Sequence, residues 1–109
     1  MSFKIITIPP FDKQLKGLVK KYPSIIDELR ILGNDLAEQP YIGISIGKKC
    51  YKIRIAIGSK GQGKSGGARV ITNIHISNET VYLLSIYDKS EKENLTDKEL
   101  LHLLNEIPE

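Results

Sequence analysis

Four stretches of the chain alternate apolar and polar residues: FKIITI (3–8), CYKIRIAI (50–57), ARVITNIHIS (68–77) and TVYLLSIY (80–87). A period of two, rich in Ile, Val and Thr, predicts β-strands. Between the first and second the period changes. Phe11, Leu15, Leu18, Val19 and Tyr22 recur at helical spacing, with Lys13, Lys16, Lys20 and Lys21 outside that stripe. Pro9-Pro10 ends the first strand, and Pro10 suits the first position of a helix. Gly17 weakens this helix slightly. Pro23-Ser24 opens a second helix. Ser24 followed by Asp27 resembles a start signal, Ile25, Leu29, Leu32 and Leu36 form the inward face, and Gln39-Pro40 stops it. YIGISIG (41–47) fits either a short strand or an irregular approach. Near the end, NLTDKELLHLLNEI carries a capping box, Thr96 with Glu99, and Leu95 is placed to staple onto Leu100.

Short connections such as Ser77-Asn78-Glu79 imply an antiparallel meander for the last three strands. The order β-α-α-β-β-β-α predicts an α+β fold: a small antiparallel sheet, an N-terminal helical hairpin on one face and a short C-terminal helix. The length of 109 residues suits one domain spanning 1–109, and there is no internal repeat.

Composition narrows the class. Apolar content of 40% and charged content of 27% are ordinary for a soluble globule, and no apolar run is long enough for a membrane span. The N-terminus MSFKIITIPPF lacks the marks of a secretory signal, and the one cysteine, Cys50, fits a reducing cytoplasm. His75 and His102 are spaced like no zinc site, so neither a metal nor a cofactor is expected. His75 is expected to face out from a strand and His102 to lie on the polar flank of a helix.

Charge changes the picture more. From Gln39 to Asn78 there are seven cations and no Asp or Glu. That segment carries +7, while the flanks, with nine cations and thirteen acids, carry −4, giving the net +3. A solvated face ordinarily mixes signs, so a polyanion such as nucleic acid heads the list of partners.

GSKGQGKS (58–65) spells the phosphate-loop pattern G-x-x-x-x-G-K-[ST]. That pattern works only when a helix follows, because the helix N-terminus holds the phosphates. Here Gly66-Gly67 and a strand pattern follow, so no nucleotide site is expected at 58–65. The segment reads instead as a cationic loop joining two strands.

Strand alternation then sorts the candidates by face. Tyr51, Ile53, Ile55 and Ile57 form a core set, which places Lys52 and Arg54 together on the other face. Val70, Ile74 and Ile76 suit the core, so Arg69, Asn73 and His75 fall opposite. Antiparallel pairing can gather Lys52, Arg54 and Arg69 on one exposed sheet face, overhung by the loop that carries Lys60 and Lys64. A lone lysine on a strand's outer face is ordinarily there for solubility. Three cations converging without a carboxylate oppose strand pairing, and an anionic ligand would neutralise them.

The strand motif YKIRIA, the loop SKGQGKSGGARVI and the run VYLLSIYDKSEKENLTDKEL together resemble the RelE/HigB toxins of bacterial type II toxin–antitoxin modules, within the RelE/ParE superfamily. The resemblance covers nearly the whole chain and fits the strand order. It implies a cytoplasmic endoribonuclease that cuts messenger RNA, typically in the ribosomal A site, inhibits translation and is silenced by a cognate antitoxin. It further implies metal-free scission with Lys52 as base, Arg54 and Arg69 on the scissile phosphate, and Tyr87 or Lys89 supplying the leaving-group proton. Lys48, Lys49, Lys60 and Lys64 would grip RNA backbone. Asp88 departs from the family pattern, and no tyrosine follows Tyr87. Two alternatives are a gyrase-poisoning toxin of the same fold, and a catalytically inactive RNA- or protein-binding module.

Overall fold

The computed structural model describes residues 2–58, 63–64 and 66–108. In chain order the elements are β1 (Lys4–Thr7), α1 (Pro9–Lys21), α2 (Ile25–Glu38), β2 (Ile44–Gly47), β3 (Cys50–Ile55), β4 (Ala68–His75), β5 (Thr80–Asp88) and α3 (Asp97–Leu104). One five-stranded sheet has the spatial order β1-β5-β4-β3-β2. The α+β reading and the antiparallel run β3-β4-β5 both hold. The sheet is mixed, however, because β1 joins the far edge parallel to β5, with Lys4 opposite Thr80. The ambiguous stretch 41–47 supplies a fifth, edge strand, β2, antiparallel to β3.

Every residue of β5, and all of β4 except His75, is buried. Side chains leave a strand on alternate sides, so both faces of these central strands are covered. On one face Ile53, Ile55, Val70, Ile74 and Val81 join Phe11, Leu18, Ile25, Leu32 and Leu36 of the helical pair in the core. α3 and the segment leading into it lie over the other. Each fully buried Leu, Ile or Phe contributes about 1.5–3 kcal/mol, so the helical stripes read from the sequence supply much of the stability. Ile76, expected in the core, is 53% exposed, because β4 ends at His75 and Ile76 opens the turn into β5.

The helix starts differ in detail. α1 begins at Pro9, so both prolines occupy its first turn, where the missing N–H groups cost nothing. Ser24 makes no side-chain cap on α2. The amides of Ile25, Ile26 and Asp27 instead bond the carbonyls of Tyr22, Pro23 and Ser24, a tight turn that runs one helix into the next. The capping box at α3 forms in full. The Thr96 hydroxyl accepts from the Glu99 amide at 3.1 Å, and the Glu99 carboxylate accepts from the Thr96 amide at 2.9 Å.

The β4–β5 pairing shifts register between Ile71 and Thr72, which makes a bulge in β5 at Leu84. Gln14 of α1 satisfies the strand there. Its Oε1 accepts from the Ser85 hydroxyl at 2.9 Å and from the Ile86 amide at 3.2 Å. Removing that acceptor with Gln14→Ala leaves a buried donor without its partner and is expected to cost about 1–3 kcal/mol in urea denaturation. A variant as stable as the parent would show that the bulge is satisfied by other means.

Candidate active site

Strand register gathers the site. Arg54 of β3 lies directly opposite Arg69 of β4, and Arg69 lies directly opposite Tyr87 of β5. The three form one row across three strands, each step about 4.5–5.5 Å between Cα atoms. Lys52 sits two residues from Arg54 on the same face. Two guanidinium groups paired across strands repel one another, which is unusual in a sheet built for stability alone.

The row is more enclosed than alternation implied. Arg69 is only 4% exposed, so it lies beneath the surface rather than on an open sheet face. Its Nη1 donates to the carbonyls of Lys64 at 3.0 Å and Ala68 at 3.1 Å, which fixes the guanidinium plane. Arg54 is exposed, since β2 pairs only as far as Lys52 and leaves the β3 edge open beyond it. It borders a cleft with Lys64 and with Glu28 and Asp35 of α2. The acid-free middle of the chain thus shares this cleft with two carboxylate residues of α2.

Tyr87 is buried, with its hydroxyl donating to the Glu93 carbonyl at 3.4 Å. Burial pushes its pKa above the ordinary phenol value, the neighbouring Arg69 charge opposes that rise, and Glu99 adds to it. The phenol therefore keeps its proton at neutral pH. Lys52 is half-buried and donates from Nζ to the Asn94 side-chain oxygen at 2.7 Å. Asn94 escaped the sequence reading because the two residues stand 42 positions apart and no local pattern links them. The same segment thus touches both Lys52 and Tyr87. It is anchored by the Thr96–Glu99 box and by an ion pair between Lys92 and Glu99. Lys92 and the Thr96 amide hold the Glu99 carboxyl below the usual range, so it is ionised at neutral pH.

Lys89 follows β5 directly and is half-buried, and its amide donates to the Gly67 carbonyl at 3.1 Å, beside Arg69. Asp88 is buried and engages Ser90, its Oδ1 accepting from both the amide and the hydroxyl. Lys64 is exposed near Arg54. Lys48 and Lys49 are exposed at the β2–β3 turn, on the far side of Lys52 from Arg54. Lys60 lies outside the described residues. So do parts of the phosphate-loop match, but the segment after it, Ala68–His75, is strand β4 and supplies no helix N-terminus for a nucleotide. His75 is half-buried against Tyr82, ring centroids 5.1 Å apart, and His102 is exposed on α3. Among the described residues no three His, Cys, Asp or Glu side chains group as metal ligands, and no helix is long and apolar enough to cross a membrane.

Comparison with solved structures supports the architecture. A double-arginine mutant of the E. coli toxin RelE in the free state aligns with a TM-score of 0.60 and 16% identity, covering 97% of this chain and 94% of that one. The isolated E. coli RelE toxin aligns at 0.58 and 15% identity, covering 97% and 100%. At such identities the likeness concerns the fold. The family model described as "RelE toxin of RelE / RelB toxin-antitoxin system" matches residues 19–107, from within α1 through α3 and across every site residue named above. The chain belongs to the RelE family, the toxins of toxin–antitoxin modules.

Proposed function

We propose that this toxin is a metal-independent endoribonuclease that cuts messenger RNA in the cytoplasm, on the ribosome, and so inhibits translation until its antitoxin binds. The observation that carries the reading is the row Arg54–Arg69–Tyr87 with Lys52 beside it. Scission of RNA needs no outside nucleophile. The 2′-hydroxyl adjacent to the scissile phosphate attacks phosphorus, the bond to the 5′-oxygen breaks, and a 2′,3′-cyclic phosphate and a 5′-hydroxyl result. Lys52 takes the proton from the 2′-hydroxyl. Arg54 and Arg69 stabilise the charge that grows on the phosphorane oxygens, in a partly buried place where such charges count for more than in water. Tyr87, kept protonated by burial, gives its proton to the departing oxygen, with Lys89 as the other candidate donor. Lys48, Lys49, Lys60 and Lys64 hold RNA backbone without regard to sequence.

The test is controlled expression followed by mapping of transcript ends, on ribosomes and off them. New ends within coding regions that depend on ribosome occupancy and vanish in Lys52→Ala are the expected result. DNA-damage signalling with intact transcripts would favour a gyrase poison of the same fold. Growth arrest undiminished in a folded Lys52→Ala variant would argue against catalysis.

A further inference from the structure

A large cleft lies apart from the row just described. It is an open cavity of about 760 Å³ bordered by Lys48, Lys49, Asn73 and His75 on the sheet side and by Leu104 and Ile107 at the end of α3. Asn73 pairs with Cys50 in the β3–β4 ladder, as Arg69 pairs with Arg54. The cleft therefore lies four residues along β3 from the reactive row, about 13 Å at roughly 3.3 Å per residue.

Alternation puts Cys50, Lys52 and Arg54 on one face, with Asn73 and His75 beside them on β4. Exposed or half-exposed cations thus follow β3 from Arg54 through Lys52 to Lys49 and Lys48. No Asp or Glu occurs between Gln39 and Asn78 to interrupt them.

The cleft is built rather than incidental. Asn73 is 4% exposed, and its amide nitrogen donates to the Lys48 carbonyl at 3.1 Å and the Lys49 carbonyl at 3.4 Å. It pins a turn in which both lysines take left-handed backbone angles, φ 55° and 60°. That conformation costs a residue with a side chain, and Asn-Gly is the pair such a two-residue turn favours. Lysine at both positions is a choice made against local stability. The oxygen of the same Asn73 amide is buried beneath the cleft and has no hydrogen-bond partner among the described residues. His75, braced edge-on by Tyr82, offers a ring, and Leu104 and Ile107 an apolar wall.

We propose that this cleft is a second subsite for the RNA strand, seating a nucleotide beyond the scissile phosphate, with its phosphate on Lys48 and Lys49 and its base against His75. The inference rests on the endoribonuclease reading and adds where the strand goes after leaving the reactive row. A dinucleotide covers only the row, whereas a hexanucleotide reaches the cleft.

The experiment uses the full chain and 2′-O-methyl RNA strands, which lack the nucleophile and stay intact. Affinities of a dinucleotide and a hexanucleotide are measured across a salt series. The hexanucleotide is expected to bind on the order of tenfold tighter. Lys48→Asn with Lys49→Gly removes both charges while supplying the turn its favoured residues, so the hairpin is kept. This double variant should lose most of the length gain, and its salt slope for the hexanucleotide should fall by about 0.7, the share of one phosphate on a single strand. His75→Ala should reduce the gain as well. A length gain and salt slope unchanged in the double variant, with dinucleotide binding intact in the parent, would overturn the cleft alone. A parent chain that binds neither strand would overturn the RNA reading together with it.

Discussion

Tyr87→Phe is expected to lower RNA cleavage by about 10²–10⁴-fold while leaving the fold in place, the range that a positioned general acid contributes. The ring is buried in the core cluster, and phenylalanine preserves nearly all of that packing. What disappears is a hydroxyl that donates to the Glu93 carbonyl and stands across the ladder from Arg69. The substitution separates chemistry from structure in a second way. Burial raises the Tyr87 pKa above its ordinary value of 10.0, so the folded state holds that proton more tightly than the unfolded chain does. A raised folded-state pKa contributes stability that is present below the unfolded value and is lost as pH rises through the folded one. The parent should therefore lose stability above about pH 10, and Tyr87→Phe should lose less. Burial raises the Cys50 thiol as well, so part of the alkaline loss is common to both proteins. Cleavage rates measured with reconstituted ribosomes, and denaturation midpoints at neutral and alkaline pH, check the two halves. Full activity in the phenylalanine variant would move the acid role to Lys89.

Gly67→Ala is expected to destabilise the protein by more than about 4 kcal/mol, or to prevent folding, the exceptional range for one substitution. A Cβ at Gly67 would lie 2.0 Å from the Ile55 carbonyl oxygen and 3.0 Å from the Ala56 Cα. Both obstacles are backbone, so nothing flexible can give way. The strain falls where β3 and β4 part, next to the pairing of Ile55 with Ala68 and two residues before Arg69. The Gly67 carbonyl also accepts the Lys89 amide, so any shift carries the end of β5 with it. If a variant does fold, it should place Arg69 poorly and cleave slowly. Chemical denaturation gives the first quantity, and ribosome-bound cleavage the second. Gly43 is a contrasting case. It combines φ +105° with a Cβ that would stand 2.6 Å from the Lys52 carbonyl oxygen, so its replacement strains the chain at the approach to β2. A Gly67→Ala protein with parental stability would mean that the strands can separate there without cost.

The residues of the proposed site are ordered in part through the lead-in to α3. The Thr96–Glu99 box fixes a segment whose Glu93 and Asn94 touch Tyr87 and Lys52. The groups that would carry chemistry are thus held from two directions, by the sheet register beneath and by the helix lead-in above. Pre-organisation of this kind removes reorganisation from the reaction step.

What the sequence by itself determined was whatever has a period or a local signature. Apolar alternation fixed β3, β4 and β5, the 3.6-residue stripes fixed α1 and α2, and a capping box fixed the start of α3, because burial and capping repeat at short range. The shared face of Lys52 and Arg54 followed from alternation alone. Tertiary structure decided everything that depends on residues distant in the chain. It put β1 parallel to β5 and gave Arg69 its two neighbours. It buried Arg69, which alternation had left on an open face, and brought Asn94 to Lys52. It also brought Glu28 and Asp35 of α2 to the cleft that Arg54 borders. Contacts between distant residues are settled by which surfaces must leave water together, and that competition involves the whole chain at once.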